Sequence, residues 1–193
     1  MSFEERIERK ILDIIEEWNE SDIYAISFLV TANLSSKYKG IKNFPEFSVG
    51  YNTESECEDD NPVSEERWNY AFWSQNNEIV VDSSTKEMAD ALLTWYKEHG
   101  IKDIGAESEE NMYDEGMNYI GKGPNGCFEL MSLVADIASK ASFREKVRHI
   151  CGNVPIIIHD LEYSWYTEEL TNRANPNGEA KDFLEYYSEE FNG

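Results

Sequence analysis

The chain has 193 residues, 40% of them hydrophobic and 29% charged, which excludes a disordered chain and suits a single domain with one core. With 39 Asp and Glu residues against 17 Lys and Arg, its formal net charge is -22. Nucleic acids and anionic membrane surfaces are therefore poor partners, and a basic partner is favoured.

Three further features of the sequence bear on its compartment. The cysteines Cys57, Cys127 and Cys151 match no metal-ligand spacing and are expected to be free thiols in a reducing environment. The N-terminal stretch lacks the apolar core and cleavage site of a signal peptide, and no apolar run approaches the roughly 20 residues that span a bilayer. We therefore expect a cytoplasmic protein that uses no metal and no other cofactor.

The apolar stretch 22–31 predicts the central strand of a sheet. It is a nearly continuous run of β-branched and aromatic residues, which is typical of a strand covered on both faces. Residues 46–52 alternate apolar and polar side chains and predict a second strand, antiparallel to the first. Residues 32–45, between the two, are predicted to form a polar loop. Two shorter strands are predicted at residues 78–83 and 154–160.

Amphipathic helices are predicted before and after these strands. The N-terminal one has apolar residues at steps of three and four between Phe3 and Trp18. Further helices are expected at residues 85–99, at 127–150 with a break near Ser142, and in the 163–191 tail. The pattern predicts a single α+β domain over residues 1–193, with a mostly antiparallel sheet of about four or more strands and helices packed on it.

Two acidic segments without Lys or Arg interrupt this pattern. The first follows the second strand and lacks the residue order of an EF-hand loop. The second lies near residues 103–120, where we expect a mobile connection or a short irregular helix. Both are interpreted either as solvated surface or as docking surface for a basic protein. The carboxylates expected to bind that partner are Glu54, Glu56, Glu58, Asp59, Asp60, Glu107, Glu109 and Glu110.

Few residues in the sequence point to catalysis. His159 and Asp160 end the last predicted strand, where functional residues often lie, but a catalytic metal usually has three protein ligands. Motifs of nucleophile elbows, zinc proteases and kinases are missing from the sequence. We expect a protein that is not an enzyme. A hydrolase or metal-dependent enzyme that uses His159 and Asp160, and a small regulatory domain, stay open as alternatives.

Four segments of the sequence carry a resemblance to a known family. They are YAISFLV, VGYNTE, ERWNYAFW and VPIIIHDLE, in this order. The succession resembles a family of bacterial domains of unknown function, and such domains often resemble the immunity proteins encoded beside polymorphic toxins. The resemblance implies a non-catalytic, antitoxin-type protein that neutralises a basic partner, such as a toxin, through acidic loops. The long acidic segments depart from the family pattern, and buried aromatic residues would supply most of the affinity, with candidates Trp68, Trp73 and Trp165 if they are exposed.

Overall fold

The computed structural model describes residues 1–107 and 112–191, and it confirms the α+β class. Within these ranges four strands form one sheet: β1 (Ile23–Tyr38), β2 (Ile41–Thr53), β3 (Glu78–Val81) and β4 (Ile156–His159). Their order is β3-β2-β1-β4. The β3-β2 and β2-β1 pairs are antiparallel and the β1-β4 pair is parallel, so the sheet is mostly antiparallel with β1 in its interior, as predicted.

The loop predicted at residues 32–45 is wrong, because β1 and β2 run on through it as one long hairpin. Tyr38 pairs with Ile41, which confines the turn to Lys39 and Gly40. Both turn residues have positive φ, 50 and 85, as a type I′ turn requires. Tyr38 and Phe44 are buried with their ring centroids 5.2 Å apart, and this aromatic contact stabilises the end of the hairpin next to the turn. In the sequence, the neighbouring lysines obscured the apolar pattern of Tyr38 and Phe44.

Seven α-helices occur in the described ranges, and none of them is long and apolar enough to cross a membrane. They are α1 (Phe3–Glu16), α2 (Glu65–Trp68), α3 (Lys86–Glu98), α4 (Cys127–Ser139), α5 (Ala141–Cys151), α6 (Tyr166–Ala174) and α7 (Lys181–Phe191). A capping box starts α1: the Ser2 hydroxyl accepts from the Glu5 N–H at 3.2 Å, and the Glu5 carboxylate accepts from the Ser2 N–H at 2.8 Å. The break expected near Ser142 lies at Lys140.

The sheet is covered on both faces, as the apolar run of β1 indicated. Ile26, Phe28 and Val30 of β1 enter a larger core with α1, α3, α4 and α5. Tyr24 and Leu29 enter a smaller, aromatic core with α2 and α7. From Ala25 to Val30 the buried apolar side chains alternate between the two cores, which is how one strand contributes to both, and Tyr24 precedes this pattern at an irregularity in the pairing with β2.

The outer edge of β4 is closed by side chains of α6 and the residue that follows it. The Asn175 side chain accepts from the Ile156 N–H at 2.9 Å and donates to the Ile156 carbonyl at 2.8 Å. The Thr171 hydroxyl accepts from the Ile158 N–H at 3.0 Å. These bonds replace a neighbouring strand and protect an exposed sheet edge. They also hold the second half of α6 alongside β4, and the candidate site lies at the turn between these two elements.

Candidate functional site

A cavity of about 670 Å³ lies where the turn after β4, the start of α6, the end of α7 and residues 113–123 meet. We call it the aromatic cavity because most of its lining is aromatic. Its aromatic residues are Tyr113, Tyr119, Tyr163, Trp165, Tyr166, Tyr187 and Phe191. Its charged residues are Asp160, Glu162 and Glu168, and no Lys, Arg or His is among the described residues that line it. The volume is that of a ligand pocket, and the charge of the lining is negative.

Asp160 organises the wall of the aromatic cavity. One of its carboxylate oxygens accepts from the Ser164 hydroxyl and from the Tyr166 hydroxyl, both at 2.6 Å. The other accepts from the N–H groups of Glu162 and Ser164 at 3.1 and 3.2 Å. Burial and the Asp160 charge raise the pKa of Tyr166 well above its ordinary value, so its hydroxyl stays a neutral donor. Asp160 therefore closes the turn between β4 and α6.

His159 is fully buried behind this wall and does not line the cavity. Its Nδ1 donates to the Asp160 carbonyl at 2.8 Å, which leaves Nε2 to accept from the Ser27 hydroxyl at 2.8 Å. The imidazole contacts the rings of Tyr70 and Tyr163 at centroid distances of 5.0 and 5.2 Å. Burial lowers the pKa of His159 to about 4, so it is neutral at pH 7. The pair that the enzyme alternative requires is therefore not brought together in one pocket.

Two carboxylates of the aromatic cavity are left for a ligand. Glu162 and Glu168 are both exposed. Neither carboxylate makes a hydrogen bond or an ion pair with another residue in the described part of the chain. In contrast, both carboxylate oxygens of Asp160 already accept hydrogen bonds from residues 162–166. Glu162 and Glu168 are thus free to receive a cation or a hydrogen-bond donor from outside.

One wall of the aromatic cavity is a small hairpin within residues 112–120. Tyr113 and Tyr119 form an isolated antiparallel bridge, with their rings edge to face at 5.7 Å. The Asp114 carboxylate accepts from the N–H groups of Gly116 and Asn118 at 2.8 and 2.9 Å, which stabilises the turn. This part of the predicted mobile or helical connection is therefore a hairpin.

Most of the large apolar side chains that are exposed in the described ranges belong to the segments that form the cavity. They are Tyr113, Met117, Ile120, Leu161, Trp165 and Phe191, and the remaining ones are Met1, Phe72 and Ile79. Trp165 is 42% exposed and is held in place, because its indole N–H donates to the Gly121 carbonyl at 2.9 Å and its ring stacks on Phe128. Such a concentration of exposed apolar surface is typical of an interaction site.

Of the three candidate tryptophans, only Trp165 is available to a partner. Trp68 and Trp73 are buried in the smaller core, with indole N–H groups that donate to the carbonyls of Pro62 and Arg67. Their sequence segment is dense in aromatic residues because it covers one face of the sheet.

In the predicted acidic loop, residues 54–60, some carboxylates bond to other side chains and others do not. Glu54 forms a two-pronged ion pair with Arg67, at 2.8 and 2.6 Å, and this contact holds the pKa of Glu54 below its usual value. Glu56 accepts from the hydroxyls of Thr53 and Ser74. The rest of the loop is less engaged: Asp59 caps the Asn61 N–H at 2.8 Å, and Glu58 and Asp60 are exposed.

The second predicted acidic group is seen only in part. Glu107 is exposed and lines a smaller cavity of about 400 Å³, which shares Tyr119 and Gly123 with the aromatic cavity. Glu109 and Glu110 lie outside the described residues. Glu107 is thus the described member of the predicted set that lines a cavity next to the candidate site.

Sequence reasoning missed Glu162 and Glu168, the exposed carboxylates of the cavity lining. Their signal is local and weak: two acids flank the aromatic run Tyr163 to Tyr166. In a chain with 39 acids that pattern does not stand out.

Comparisons with protein-family models, with curated proteins and with solved structures each gave no match. In the described ranges no three His, Cys, Asp or Glu side chains are grouped so that they could hold a metal ion.

Proposed function

We propose that the protein is a non-catalytic binding protein that docks a basic protein partner over the aromatic cavity. The observation that carries the proposal is the exposed apolar surface around a cavity whose charged residues are all acidic. Interfaces between proteins concentrate their binding energy in aromatic anchors and surround them with polar residues. Trp165 and Phe191 are the anchors at this surface, and Glu162 and Glu168 are its charged contacts.

The charge of the whole chain supports a basic partner. A formal net charge of -22 attracts a cationic protein over long range and raises its association rate at low salt. The exposed carboxylates of the acidic loop, Glu58 and Asp60, add to this field. Their contribution is to the encounter, because rim charges change association rates more than the strength of the final complex.

The acidic loop and the aromatic cavity both border the smaller core. Tyr163, which lines the cavity, donates its hydroxyl proton to the Trp68 carbonyl and accepts from the Tyr70 N–H at 3.1 Å. The segment that follows the acidic loop is thereby joined to the cavity wall. We propose that the loop acts on the same partner by guiding the encounter.

Neutralisation of a toxin is the role that the sequence resemblance suggests for this binding. Covering the active surface of a basic toxin needs no catalytic residue, and it agrees with a site built from rings and carboxylates. The immunity-type role is thus the specific form of our proposal.

The test starts with tagged protein used to capture basic proteins from its native host at low salt. A captured basic protein is then purified, and its affinity is measured by calorimetry at two salt concentrations. We expect the double variant Trp165→Ala, Phe191→Ala to weaken binding by about a hundredfold, because two aromatic anchors are removed. Phe72→Ala is the matched control, since Phe72 is 57% exposed and does not line the cavity.

Equal affinity of the captured protein for the double variant and for the Phe72→Ala control would contradict the proposed docking surface. A further measurement tests the acidic loop by stopped-flow association. Replacing Glu58, Asp59 and Asp60 with their amides should slow association and flatten its salt dependence. An unchanged rate would remove the loop from the encounter.

A further inference from the structure

The protein already holds one guanidinium between aromatic rings and a carboxylate. The guanidinium carbon of Arg67 lies 3.9 Å from the centroid of the Tyr24 ring and 5.7 Å from that of Trp68. Both terminal nitrogens of Arg67 bond to the Glu54 carboxylate, at 2.8 and 2.6 Å. We call this group the Arg67 site. It combines stacking on a ring with a two-pronged ion pair, the two contacts that suit a planar cation.

The aromatic cavity presents the same two kinds of contact without a cation of its own. Tyr163, Trp165 and Phe191 offer ring surfaces, and Glu162 and Glu168 offer carboxylates. Lys122 directly precedes Gly123 of the cavity lining but lines the smaller neighbouring cavity instead. Its ammonium nitrogen lies 4.4 Å from the centroid of the Phe128 ring. Phe128 stacks on Trp165, so a cation already lies against the aromatic cluster just outside the aromatic cavity.

From this correspondence we infer that the aromatic cavity receives an arginine side chain of the basic partner, with the guanidinium against the rings and its charge opposite Glu162 and Glu168. The inference rests on the proposed function and specifies its central contact. The cavity volume of about 670 Å³ admits a long side chain together with its apolar stem.

Arginine fits this cavity better than lysine for two physical reasons. A guanidinium is planar and weakly hydrated, so it loses less when it leaves water for a ring surface. It also presents several N–H donors in fixed directions, and two separate carboxylates can be bonded at once. An ammonium is compact and strongly hydrated, and although it can lie over a ring, as Lys122 does over Phe128, it has no plane to stack on one. The Arg67 site uses the same advantages of a guanidinium within the chain.

The test uses three capped tripeptides, acetyl-Gly-X-Gly-amide, in which X is arginine, lysine or citrulline. Citrulline has the shape of arginine without its charge. Binding is followed by nuclear magnetic resonance at the indole N–H of Trp165, which lies at the cavity and bonds to Gly121. We expect the arginine peptide to shift this signal, the lysine peptide to bind several-fold more weakly, and the citrulline peptide at least about tenfold more weakly.

Variants separate the local carboxylates from the overall charge. Glu162→Gln and Glu168→Gln should each raise the Kd of the arginine peptide by about fivefold, the effect of losing one favourable charge contact. Glu145→Gln removes the same charge from an exposed site on α5 and should leave the Kd unchanged. An equal effect of all three substitutions would overturn the inference, because it would reflect only net charge.

Two other results would also overturn it: no shift of the Trp165 indole signal with the arginine peptide, or equal shifts with the arginine and citrulline peptides. The proposed function has a separate outcome. If the arginine peptide fails while the Trp165→Ala, Phe191→Ala variant still loses the captured partner, the docking surface stands and its arginine contact is wrong. If the arginine peptide binds but the captured protein binds the double variant as tightly as the wild type, the cavity recognises guanidinium and the docking proposal is wrong.

Discussion

The Arg67 site and the aromatic cavity are built from the same kinds of residue at two borders of the smaller core, yet they differ in their charge balance. At the Arg67 site the chain supplies a guanidinium, which lies over Tyr24 and pairs with Glu54. In the aromatic cavity Glu162 and Glu168 face rings that have no guanidinium among their described neighbours.

The difference in charge balance predicts that the two sites contribute differently to stability. Arg67 is mostly buried, with 14% of its side chain exposed, and its contacts are satisfied inside the fold. The cavity leaves apolar rings in water and like charges near each other, and both features oppose stability. Proteins keep such unfavourable arrangements mainly where a ligand relieves them. The contacts of Arg67 therefore stabilise the fold, while recognition at the aromatic cavity is what we propose, and four substitutions or titrations can break this contrast.

The largest expected difference is between the two tryptophans of these regions. Trp68→Ala should lower the free energy of unfolding by about 3–5 kcal/mol, because Trp68 is 3% exposed and fills the smaller core. Trp165→Ala should lower it by about 2 kcal/mol, since 42% of Trp165 is already in water. Urea denaturation of both variants measures the two changes. A loss at Trp165 as large as that at Trp68 would make the cavity wall part of the core.

The next effect concerns His159, which lies behind Tyr163 of the cavity wall. Because burial lowers its pKa to about 4, the unfolded chain binds a proton more readily than the folded one between about pH 6.5 and pH 4. This contribution to stability is complete above pH 6.5 and is lost as the pH falls. The loss should amount to roughly 2 kcal/mol at pH 5.

The measurement is the free energy of unfolding between pH 7.5 and pH 5, from urea titrations of the wild type and of His159→Gln. Glutamine keeps a donor and an acceptor but does not titrate in this window. The variant should therefore be less stable at pH 7.5 but should lose less stability on acidification. Parallel pH profiles of the two proteins would mean that His159 is not the titrating group.

A smaller effect is expected at the Arg67 site. Arg67→Met should lower the free energy of unfolding by about 1–2 kcal/mol, because stacking and a charge-assisted bond pair are lost. Glu54 then loses the contact that holds its pKa down. That contact is present above the ordinary pKa of 4.5 and is lost as the pH falls through the lower folded value, so the variant should show a weaker decline below pH 4.5.

The matched control is Arg173→Met, because Arg173 is also an ion-paired arginine, with Asp136 and Glu169 as its partners, but is 34% exposed. Surface ion pairs contribute about 0.5 kcal/mol, so this variant should be clearly more stable than Arg67→Met. Equal losses would show that the ring contact with Tyr24 adds nothing to the pairing at Arg67.

The sequence was sufficient for most elements of the fold but not for this comparison. The strand 22–31 and the N-terminal helix were predictable, because a buried strand and an amphipathic stripe each leave a periodic pattern. The long β1-β2 hairpin was missed, since only Tyr38 and Phe44 signal burial within a lysine-containing stretch. The cavity was missed for a different reason. Its residues come from parts of the chain as distant as Tyr113 and Phe191, and no local sequence pattern indicates that they lie together in the fold.

The smallest expected effect on stability is at the two cavity carboxylates, and it is the sharpest test of the contrast. The double variant Glu162→Gln, Glu168→Gln should change the free energy of unfolding by no more than about 0.5 kcal/mol, because neither carboxylate has a described partner to lose. Glu54→Gln, which breaks the pair with Arg67, should cost more than this double change. Urea denaturation at pH 7 compares them directly. If the cavity variant loses as much stability as Glu54→Gln, then Glu162 and Glu168 support the fold and the division between the two sites fails. If it keeps its stability and loses the arginine peptide, the same substitution assigns these carboxylates to recognition.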